Sequence, residues 1–510
     1  MGTVALNSPA GRWVMASTIM ASAMAFIDGT ALNVVLPSLQ NSLHASAADL
    51  FWVLNAYLLM LASLILAGGS LGDRLGRKKI FMIGILVFII GSAACGLSPS
   101  TGYLIAFRIL QGAGGALMIP GSLSLISSSI DDKERGKAIG TWSAITTMVT
   151  VGGPIIGGAL ADAGLWRYIF FINVPIGVAA LVILWSKVAE SKDAKGGDAL
   201  DIPGILAIAL GLAALTFGFL RMPALGFMHW AVWGTLALGL LLLLAFIVIE
   251  HKSAHPMMPP HLFTNRVFTG VNLLTFFLYT ALNAAMLFLS LNLVQAQGYS
   301  QLDSGLTFLP FTALMIALVR FAGALADKHG PRLFLIAGPA VTALGMILLS
   351  FVGETHGPRD YWTSFLPGIL VFGLGMSFTV APLTTTVMSS VGDQYSGVAS
   401  GINNALSRIA AVFANAIFGA LAVLLFTGML EQRLNGLGLP PAVEQAAISQ
   451  AADLGNAKPP PGVDAGKKPA VTAIYRTGFI QSYQRIMQVA AVLAFIGSLM
   501  GVIFVKKRSP

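Results

Sequence analysis

Fourteen long apolar runs constrain this sequence more than any other feature. A helix that crosses a bilayer needs roughly 20 apolar residues, because each residue advances it by about 1.5 Å. Runs of that length lie at approximately 13–37, 50–71, 79–98, 102–124, 138–161, 168–187, 202–220, 229–249, 268–294, 304–326, 332–352, 362–387, 404–428 and 485–505. Charged residues make up only 10% of the chain, against about 25% in soluble proteins. The sequence therefore predicts an all-α integral membrane protein with fourteen transmembrane helices.

Basic residues are distributed unequally between the two sides of the predicted membrane domain. An even number of spans places both termini on one side, and nineteen Lys and Arg residues fall there, including the RLGRKK and KERGK clusters and Arg408. The short loops of the other side carry only Arg167, Arg221 and Arg359. Cytoplasmic loops hold an excess of Lys and Arg, so both termini are predicted to be cytoplasmic. Because the net charge of +9 follows the loops, it indicates a lipid bilayer, and no nucleic acid, as the partner.

An internal repeat divides the chain. GSLGDRLGRKKIFMIG, which begins at residue 69, realigns with GALADKHGPRLFLIAG, which begins at residue 323. Three glycines and one aspartate coincide: Gly69 with Gly323, Asp73 with Asp327, Gly76 with Gly330 and Gly84 with Gly338. The repeat predicts one six-helix half over 1–187 and another over 263–510, with a cytoplasmic linker and two inserted spans over 188–262. Repeats of this kind build secondary transporters.

The repeated loop also predicts a gate on the cytoplasmic side. Its members combine glycines with charged side chains: Gly69, Asp73, Arg74, Gly76, Arg77 and, from the second copy, Asp327. Glycine lets helix ends approach closely, the aspartate can cap a helix or form a pair, and the arginines can lock one half against the other. Solvated loop charges that obey membrane topology are the alternative, which explains the positive charges but not the repeated spacing of Gly and Asp.

The chain resembles a known family through several motifs. GSLGDRLGRKK is similar to the loop 2–3 signature of the major facilitator superfamily. Further stretches resemble motifs of its fourteen-span drug:proton antiporter family: DGTALNVVLP (28–37), RILQGAGGA (108–116), GGPIIGG (152–158), WRYIFFINVPIG (166–177) and SGVASGINNALSR (396–408). The resemblance implies the major facilitator fold and a bacterial multidrug exporter in the cytoplasmic (inner) membrane. It also implies export of lipophilic compounds by alternating access, driven by a proton gradient and without a cofactor.

The motif GGPIIGG lies in span 5, next to a departure from the family pattern. Val149 stands where the family commonly has Gly, four residues before Gly153. Pro154 removes an intrahelical hydrogen bond and frees a carbonyl. Gly153, Gly157 and Gly158 are predicted to offer a smooth surface to a helix of the other half, which can close and reopen one side of a cavity. Ordinary packing of small residues is the alternative.

Asp28 and Arg108 are two charges deep inside apolar runs. Asp28 lies about 13 Å below the outer end of span 1, and Arg108 lies about 8 Å below the same face in span 4. A charge at mid-helix costs on the order of 3 kcal/mol, so such residues face a cavity or a partner. Burial opposes ionisation of a carboxyl group and a nearby guanidinium favours it. We therefore predict that Asp28 is the proton-accepting or cation-sensing carboxylate and that Arg108 is the charge that tunes it; a permanent ion pair that never titrates is the alternative.

The substrate is weakly constrained by the sequence. A lone carboxylate in an apolar cavity favours lipophilic cations, because desolvated contacts between a cation and aromatic rings are worth on the order of 2 kcal/mol. The predicted substrate-binding residues are Asp28, Asn33, Tyr57, Met118, Trp142 and Asn283. The alternatives are a carrier for one endogenous metabolite and a membrane sensor or scaffold that does not transport.

Motifs of enzymes and metal sites are missing from the sequence. It contains no GxxxxGK[ST] phosphate loop, no HExxH pair and no Cys/His cluster, and its seven His residues lie in loops or at span ends. GAGGA at 112–116 lies within an apolar span, where small residues serve close helix packing. The sequence thus predicts neither an enzyme nor a metal centre.

The segment at about 429–484 is predicted to be an outer loop, because it contains too many Pro, Gly and polar residues to cross a membrane. Within it, PAVEQAAISQAADL can form a short amphipathic surface helix. We expect a passive, partly disordered loop, with contact to a partner in the outer envelope as the alternative.

Overall fold

The computed structural model describes residues 3–191, 201–254, 256–392 and 395–505. Several side chains inside helices are outside this description, among them those of Asp73 and Asp327. Part of the predicted linker, with Lys192 and Lys195, and the terminal KKR also lie outside it. In the part described, fourteen helical segments are long and apolar enough to cross a membrane, which confirms the predicted number of spans.

The described helices follow one another in two halves with an insertion between them. The first half contains α1 (Pro9–Leu43), α2 (Ala47–Leu75), α3 (Arg77–Gly96), α4 (Thr101–Ser129), α5 (Asp132–Asp162), α6 (Tyr168–Phe171) and α7 (Asn173–Lys187). The inserted spans are α8 (Ile202–Leu225) and α9 (Trp230–Lys252). The second half contains α10 (Arg266–Gln295), α11 (Gln301–Thr307), α12 (Leu309–His329), α13 (Arg332–Ser350), α14 (Phe365–Ser389), α15 (Ser396–Phe413), a π-helix (Ala414–Phe418), α16 (Gly419–Leu434), α17 (Pro441–Ser449) and α18 (Lys468–Phe504).

Short 3-10 helices connect some of these elements: Pro260–Thr264, Pro358–Asp360, Asn435–Leu437 and Gln450–Asn456. The pairs α6 and α7, and α11 and α12, each form one span, and α15 continues through the π-helix into α16. We call the face of the bundle that holds the start of α1 the inner face, and the opposite face the outer face.

The two halves repeat the same close helix contact. A Cβ on Gly114 of α4 would lie 2.8 Å from the Cα of Phe88 in α3, and a Cβ on Gly345 of α13 would lie 2.6 Å from the Cα of Phe372 in α14. Apolar side chains gain little from association in lipid, so small residues that let backbones approach support the packing. The pairs α3–α4 and α13–α14 are therefore equivalent elements of a repeated fold.

The inserted pair α8 and α9 lies at the edge of the bundle. Only 17% of the apolar window of α9 is buried inside the protein, against 72% for α2. α8 packs against α2 of the first half and α16 of the second. The insertion therefore extends the side of the bundle and leaves the space between the halves to the twelve other spans.

The last span differs most from its predicted bounds. α18 begins at Lys468 and not at 485, and α16 ends at Leu434 and not at 428. The additional turns of α18 project from the outer face, where Tyr475 and Phe479 make edge-to-face contacts with Phe426 of α16. Aromatic packing of this kind stabilises a helix beyond its apolar run. A hydropathy window misses such turns because it measures the length of the apolar run only.

The residues between α16 and α18 form a folded outer cap (435–467). The predicted surface helix is present as α17, and the expected partial disorder is wrong for this segment. Gln40 of α1 binds the cap: its Nε2 donates to the carbonyl oxygen of Asp453 at 3.1 Å, and its Oε1 accepts from Nδ2 of Asn456 at 2.7 Å. The same Oε1 accepts from Nε2 of Gln295 in α10 at 3.1 Å. Burial raises the pKa of the Asp453 carboxyl group, as expected beneath a packed cap.

Gln40→Ala is expected to loosen the outer cap. The exchange removes three hydrogen bonds at a largely buried position, and each buried polar group left unpaired costs about 1–3 kcal/mol. Limited proteolysis should then cut within 435–467 at least about tenfold faster than in the parent protein. Gln432→Ala, at an exposed position of α16, is the matched control. Equal cleavage rates in the two variants would contradict this role of Gln40.

Candidate functional site

A cavity of about 1600 Å³ lies between the two halves. Its wall includes residues of α1, α2, α4 and α5 from the first half and of α10, α12, α14 and α15 from the second. Residues near the inner ends of these helices take part in the wall, such as Gly69, Ser127, Met388 and Val398. The cavity therefore extends from the middle of the bundle towards the inner face.

The outer face is closed by direct contact between the halves. A Cβ on Gly158 of α5 would lie 2.7 Å from the Cα of Leu302 in α11, and a Cβ on Gly305 of α11 would lie 2.8 Å from the carbonyl carbon of Pro154. The carboxylate of Asp162, at the end of α5, accepts the backbone N–H groups of the first two residues of α11, each at 2.9 Å. The structure thus has an inward-open conformation, with the cavity sealed on the outer side.

The glycines of the span 5 motif contact helices of both halves. A Cβ on Gly157 would lie 2.7 Å from the carbonyl oxygen of Ala31, and a Cβ on Gly153 would lie 3.3 Å from the nitrogen of the same residue, so both glycines pack on α1. Gly158 packs on α11. The predicted contact with the other half therefore applies to Gly158, whereas Gly153 and Gly157 contact a helix of their own half.

Pro154 links α5 to α1 through the carbonyl that it frees. Proline has no N–H, so the carbonyl oxygen of Thr150, four residues earlier, has no helical donor. Oγ1 of Thr30 lies 3.1 Å from this oxygen and shares its one proton between it and the carbonyl oxygen of Phe26, at 2.9 Å. Thr30 lies two residues after Asp28 in α1, so the backbone that carries the buried carboxylate is attached to the helix that closes the outer face.

Asp28 and Arg108 form a buried ion pair at the wall of the cavity. Nη1 of Arg108 donates to Oδ2 of Asp28 at 2.5 Å, and their exposed fractions are 1% and 0%. Nε2 of Gln111 donates to the other carboxylate oxygen at 3.0 Å, and its Oε1 accepts from Nη1 of Arg108 at 2.8 Å. Nε of Arg108 donates to the carbonyl oxygen of Val53 at 3.2 Å. Both oxygens of Asp28 are thereby satisfied in the ionised form.

The guanidinium of Arg108 also stacks on an aromatic ring. Its central carbon lies 4.4 Å from the ring centre of Tyr57 in α2 and 6.0 Å from that of Phe170 in α6. A desolvated guanidinium over an aromatic face gains on the order of 2 kcal/mol. Three spans of the first half therefore position one arginine against Asp28.

Most of the predicted substrate-binding residues lie at the cavity. Asp28, Asn33, Tyr57, Trp142 and Asn283 take part in its wall. Met118 does not: it is fully buried in the hydrophobic core of the first half. Its place in α4 is on the face turned away from the cavity, and a linear sequence does not reveal which face of a buried helix borders a space.

The predicted cytoplasmic gate makes its described contacts within the first half. Glu190 accepts the backbone N–H groups of Lys78 and Lys79 at 2.9 and 3.0 Å, and the N–H of Arg77 donates to the carbonyl oxygen of Ser191 at 2.9 Å. Gly76, with φ of 116°, makes the turn that this contact requires. Gly69 borders the cavity and Arg74 is exposed.

Two members of the gate, Asp73 and Asp327, have side chains that lie outside the described structure. A lock between the halves at the inner face therefore stays a prediction.

Arg408 lies at the cavity, although the apolar runs of the sequence predict a place in the basic inner loops. α15 begins at Ser396 and not at 404, so Arg408 lies twelve residues into the helix, about 18 Å from its start. It takes part in the cavity wall at a depth near the centre of the bundle. The available signal was the motif that ends in this arginine, since SGVASGINNALSR contains no helix breaker after its second glycine.

Asp201 and Glu250 are buried acids at the inner ends of the inserted spans, with exposed fractions of 6% and 3%. Asp201 accepts the N–H of Gly204 at 2.9 Å and caps α8, and Glu250 accepts the N–H of Met258 at 2.8 Å. Their burial depends on how the chain after α9 folds back, which hydropathy does not indicate.

Metal binding finds no support in the described residues. No group of three or more His, Cys, Asp or Glu side chains in the part of the chain described is arranged to hold a metal ion.

Two helical halves around a central cavity, open at one face and sealed at the other, define the architecture of a secondary membrane transporter. The model of the Major Facilitator Superfamily matches residues 18–415, and the chain belongs to this superfamily. The resemblance drawn from the sequence motifs is thereby confirmed, and the protein is a transporter and not an enzyme.

Curated relatives align over most of the chain. The tetracenomycin C resistance and export protein of Streptomyces glaucescens is 30% identical over 492 residues, covering 96% of this chain and 90% of the relative. The multidrug resistance protein Stp of Mycobacterium tuberculosis is 30% identical over 435 residues, covering 84% and 78%. The puromycin resistance protein pur8 of Streptomyces alboniger is 31% identical over 438 residues, covering 85% of each chain.

Solved structures share the fold. A bacterial homolog to the human lysosomal transporter Spinster, in an inward-facing and unoccupied conformation, has a TM-score of 0.67 at 20% identity and covers 99% of both chains. The xylose transporter XylE from E. coli, in an inward open conformation, has a TM-score of 0.58 at 16% identity and covers 97% of both. At such identities the likeness concerns the fold alone.

Proposed function

We propose that this protein exports lipophilic drugs or toxic compounds across the bacterial cytoplasmic membrane in exchange for protons. Relatives named for resistance to tetracenomycin C, to puromycin and to several drugs support the export of drugs. The observation that supports proton coupling is Asp28, a fully buried carboxylate at the cavity that a single guanidinium neutralises. In this proposal the inner face is cytoplasmic, because most basic loop residues lie there.

Protonation of Asp28 changes the contacts of α1. The ionised carboxylate accepts from both Arg108 and Gln111. A proton on Asp28 removes its charge and weakens a charge-assisted hydrogen bond, which is about twice as strong as a neutral one. Proton binding thus loosens α1 from α4 at the depth of the cavity.

The helix that protonation loosens, α1, is attached to α5, which forms the outer seal with α11. Thr30 of α1 binds the free carbonyl of Thr150 in α5, and α5 carries Gly158 against α11. A shift of α1 therefore acts on the contact that closes the outer face. In our proposal this physical connection lets the proton and the substrate use the cavity in turn.

Asp28 serves as the proton site in this proposal and not as an anchor for a substrate cation. The expected preference for cations assumed a lone carboxylate, but Asp28 is paired with Arg108 and Gln111. A substrate cation would have to displace a buried guanidinium that also stacks on Tyr57. The charge preference of the cavity therefore depends on its other residues.

The energy of one proton suffices for useful export. A proton that moves down a potential of 100 mV releases about 2.3 kcal/mol, which supports a roughly fifty-fold gradient of a neutral substrate. A pH difference across the membrane adds to this gradient.

The test uses the full-length protein reconstituted in liposomes with an imposed pH gradient. A fluorescent lipophilic dye and a lumenal pH indicator are followed together. We expect dye accumulation and proton movement in opposite directions, with both abolished by a protonophore. Dye flux without proton movement would favour a passive carrier, and dye binding without flux would favour a sensor or scaffold.

A further inference from the structure

The charged side chains that border the cavity do not all neutralise one another. The wall of the cavity contains Asp28, Arg108, Asp201 and Arg408, together with the titratable His261. Asp28 and Arg108 form an ion pair. Asp201 lies just before α8, at the inner end of the bundle, where it caps that helix. Among the described charged residues of the wall, Arg408 is therefore the one that remains.

Arg408 has no partner for its charge among the described residues. Its guanidinium takes part in none of the hydrogen bonds or ion pairs found there, and its Nε is shielded from solvent without an acceptor. Arginine stays protonated in proteins, so this group cannot lose its charge to escape the cost of partial burial. Such a cation in a transporter cavity needs an acceptor, and the transported molecule can supply one.

The surroundings of Arg408 suit a ligand with an aromatic body and an acidic group. On α15, Gly401, Asn404, Arg408 and Ala411 all border the cavity, and their spacing of three or four residues forms one stripe along the helix. α15 packs against α2 and α10, and these two helices contribute Tyr57 and Tyr279 to the wall of the same cavity. A guanidinium with five donors binds a carboxylate in two-point geometry and a phenolate through its single oxygen, while the tyrosines contact the apolar body.

We propose that Arg408 anchors the acidic group of the substrate, so that the cavity favours lipophilic anions such as aromatic carboxylates and phenolates over lipophilic cations. This proposal rests on the proposed export function and names its substrate class. Export of an anion is favoured by a negative cell interior, so the membrane potential assists both exchanged ions. A proton on Asp28 and an anion on Arg408 do not repel each other. For the two to bind in turn, the bound substrate must therefore block access to Asp28 sterically.

The test compares two dyes that share one scaffold and differ in charge. Fluorescein is anionic and rhodamine 6G is cationic at pH 7.5, and binding of each to the full-length protein in nanodiscs of zwitterionic lipid is measured by fluorescence polarisation. We expect tighter binding of fluorescein. Arg408→Gln should weaken fluorescein binding by about tenfold or more, since it removes a charged hydrogen bond, and should leave rhodamine 6G binding unchanged or tighter. Arg408→Lys, which keeps the charge but not the two-point geometry, should have an intermediate effect on fluorescein.

Controls separate this result from misfolding and from failure of the proposed function. Arg485→Gln removes an exposed arginine of α18, outside the cavity wall, and should leave both dyes unaffected. Binding is measured without a pH gradient, so it does not depend on proton coupling. Stronger binding of rhodamine 6G than of fluorescein in the parent protein, or equal fluorescein binding in the parent and in Arg408→Gln, would overturn the proposal. Fluorescein binding that depends on Arg408, in a protein that moves no protons, would support this binding site and contradict the proposed antiport.

Discussion

Asp28→Asn is expected to abolish proton-driven transport while the protein stays folded. Asparagine has nearly the same shape and keeps an oxygen that can accept from Arg108, but it cannot carry a proton through the cycle. Accumulation of substrate, up to about fifty-fold in the parent at 100 mV, should fall to the level of passive equilibration. The measurement is dye accumulation in proteoliposomes with an imposed pH gradient, alongside lumenal pH.

A thermal melt and one control variant make this result interpretable. The amide nitrogen of Asn at position 28 faces Nε2 of Gln111, so one hydrogen bond is lost at a cost of about 1–3 kcal/mol, and a thermal melt reports it. Asp303→Asn makes the same chemical change near the start of α11, outside the cavity wall, and should transport like the parent. Proton-coupled transport that survives in Asp28→Asn would show that Asp28 and Arg108 form a permanent ion pair.

Gly158→Ala is expected to open the outer seal. A Cβ at this position would lie 2.7 Å from the Cα of Leu302, so α5 and α11 must separate. Overpacking of this kind costs about 1–3 kcal/mol, which would shift the population away from the inward-open conformation by about tenfold or more. Spin labels on cysteines at Ala163 and Leu306, both exposed at the outer end of these helices, report the separation. The native Cys95 is fully buried and does not compete for the label.

Gly152→Ala is the matched control for this prediction. It lies in the same motif, but the nearest atom to its Cβ would be Cδ1 of Ile156 at 3.9 Å, an ordinary contact. The two variants have similar helix propensity, so a difference between them reports the contact with α11. An unchanged distance between the labels in Gly158→Ala would refute the role of this glycine in the seal.

The number of spans and the repeat could be predicted because they depend on local composition. Apolar runs reveal spans directly, and the repeated glycine spacing at Gly69 and Gly323 reveals two related halves. The importance of Asp28 and Arg108 could also be predicted, because a charge within an apolar run needs a partner. The structure supplies the rest of the network, in which Gln111 and Tyr57 hold the pair through contacts that spacing along the chain does not indicate.

The predictions that were wrong concern properties set by tertiary packing. Arg408 was counted with the loops because the apolar run begins at 404, whereas the helix begins at Ser396. Met118 was expected at the cavity, but the rotation of α4 turns it into the core. The outer cap was expected to be partly disordered because it is polar, yet it is folded by contacts with Gln40 and with Tyr475 of the projecting turns of α18, whose hydroxyl donates to the carbonyl oxygen of Ala447. None of these three features leaves a periodic signal in the sequence.

The outer cap belongs to the second half of the chain, yet it is hydrogen-bonded to α1 of the first half through Gln40. It therefore acts as a latch, because the outer ends of the two halves cannot part until these hydrogen bonds break. A stronger latch would lengthen the dwell time of the closed state without changing any residue of the cavity wall. Evolution can thus adjust the speed of such a transporter in one segment and its specificity in another.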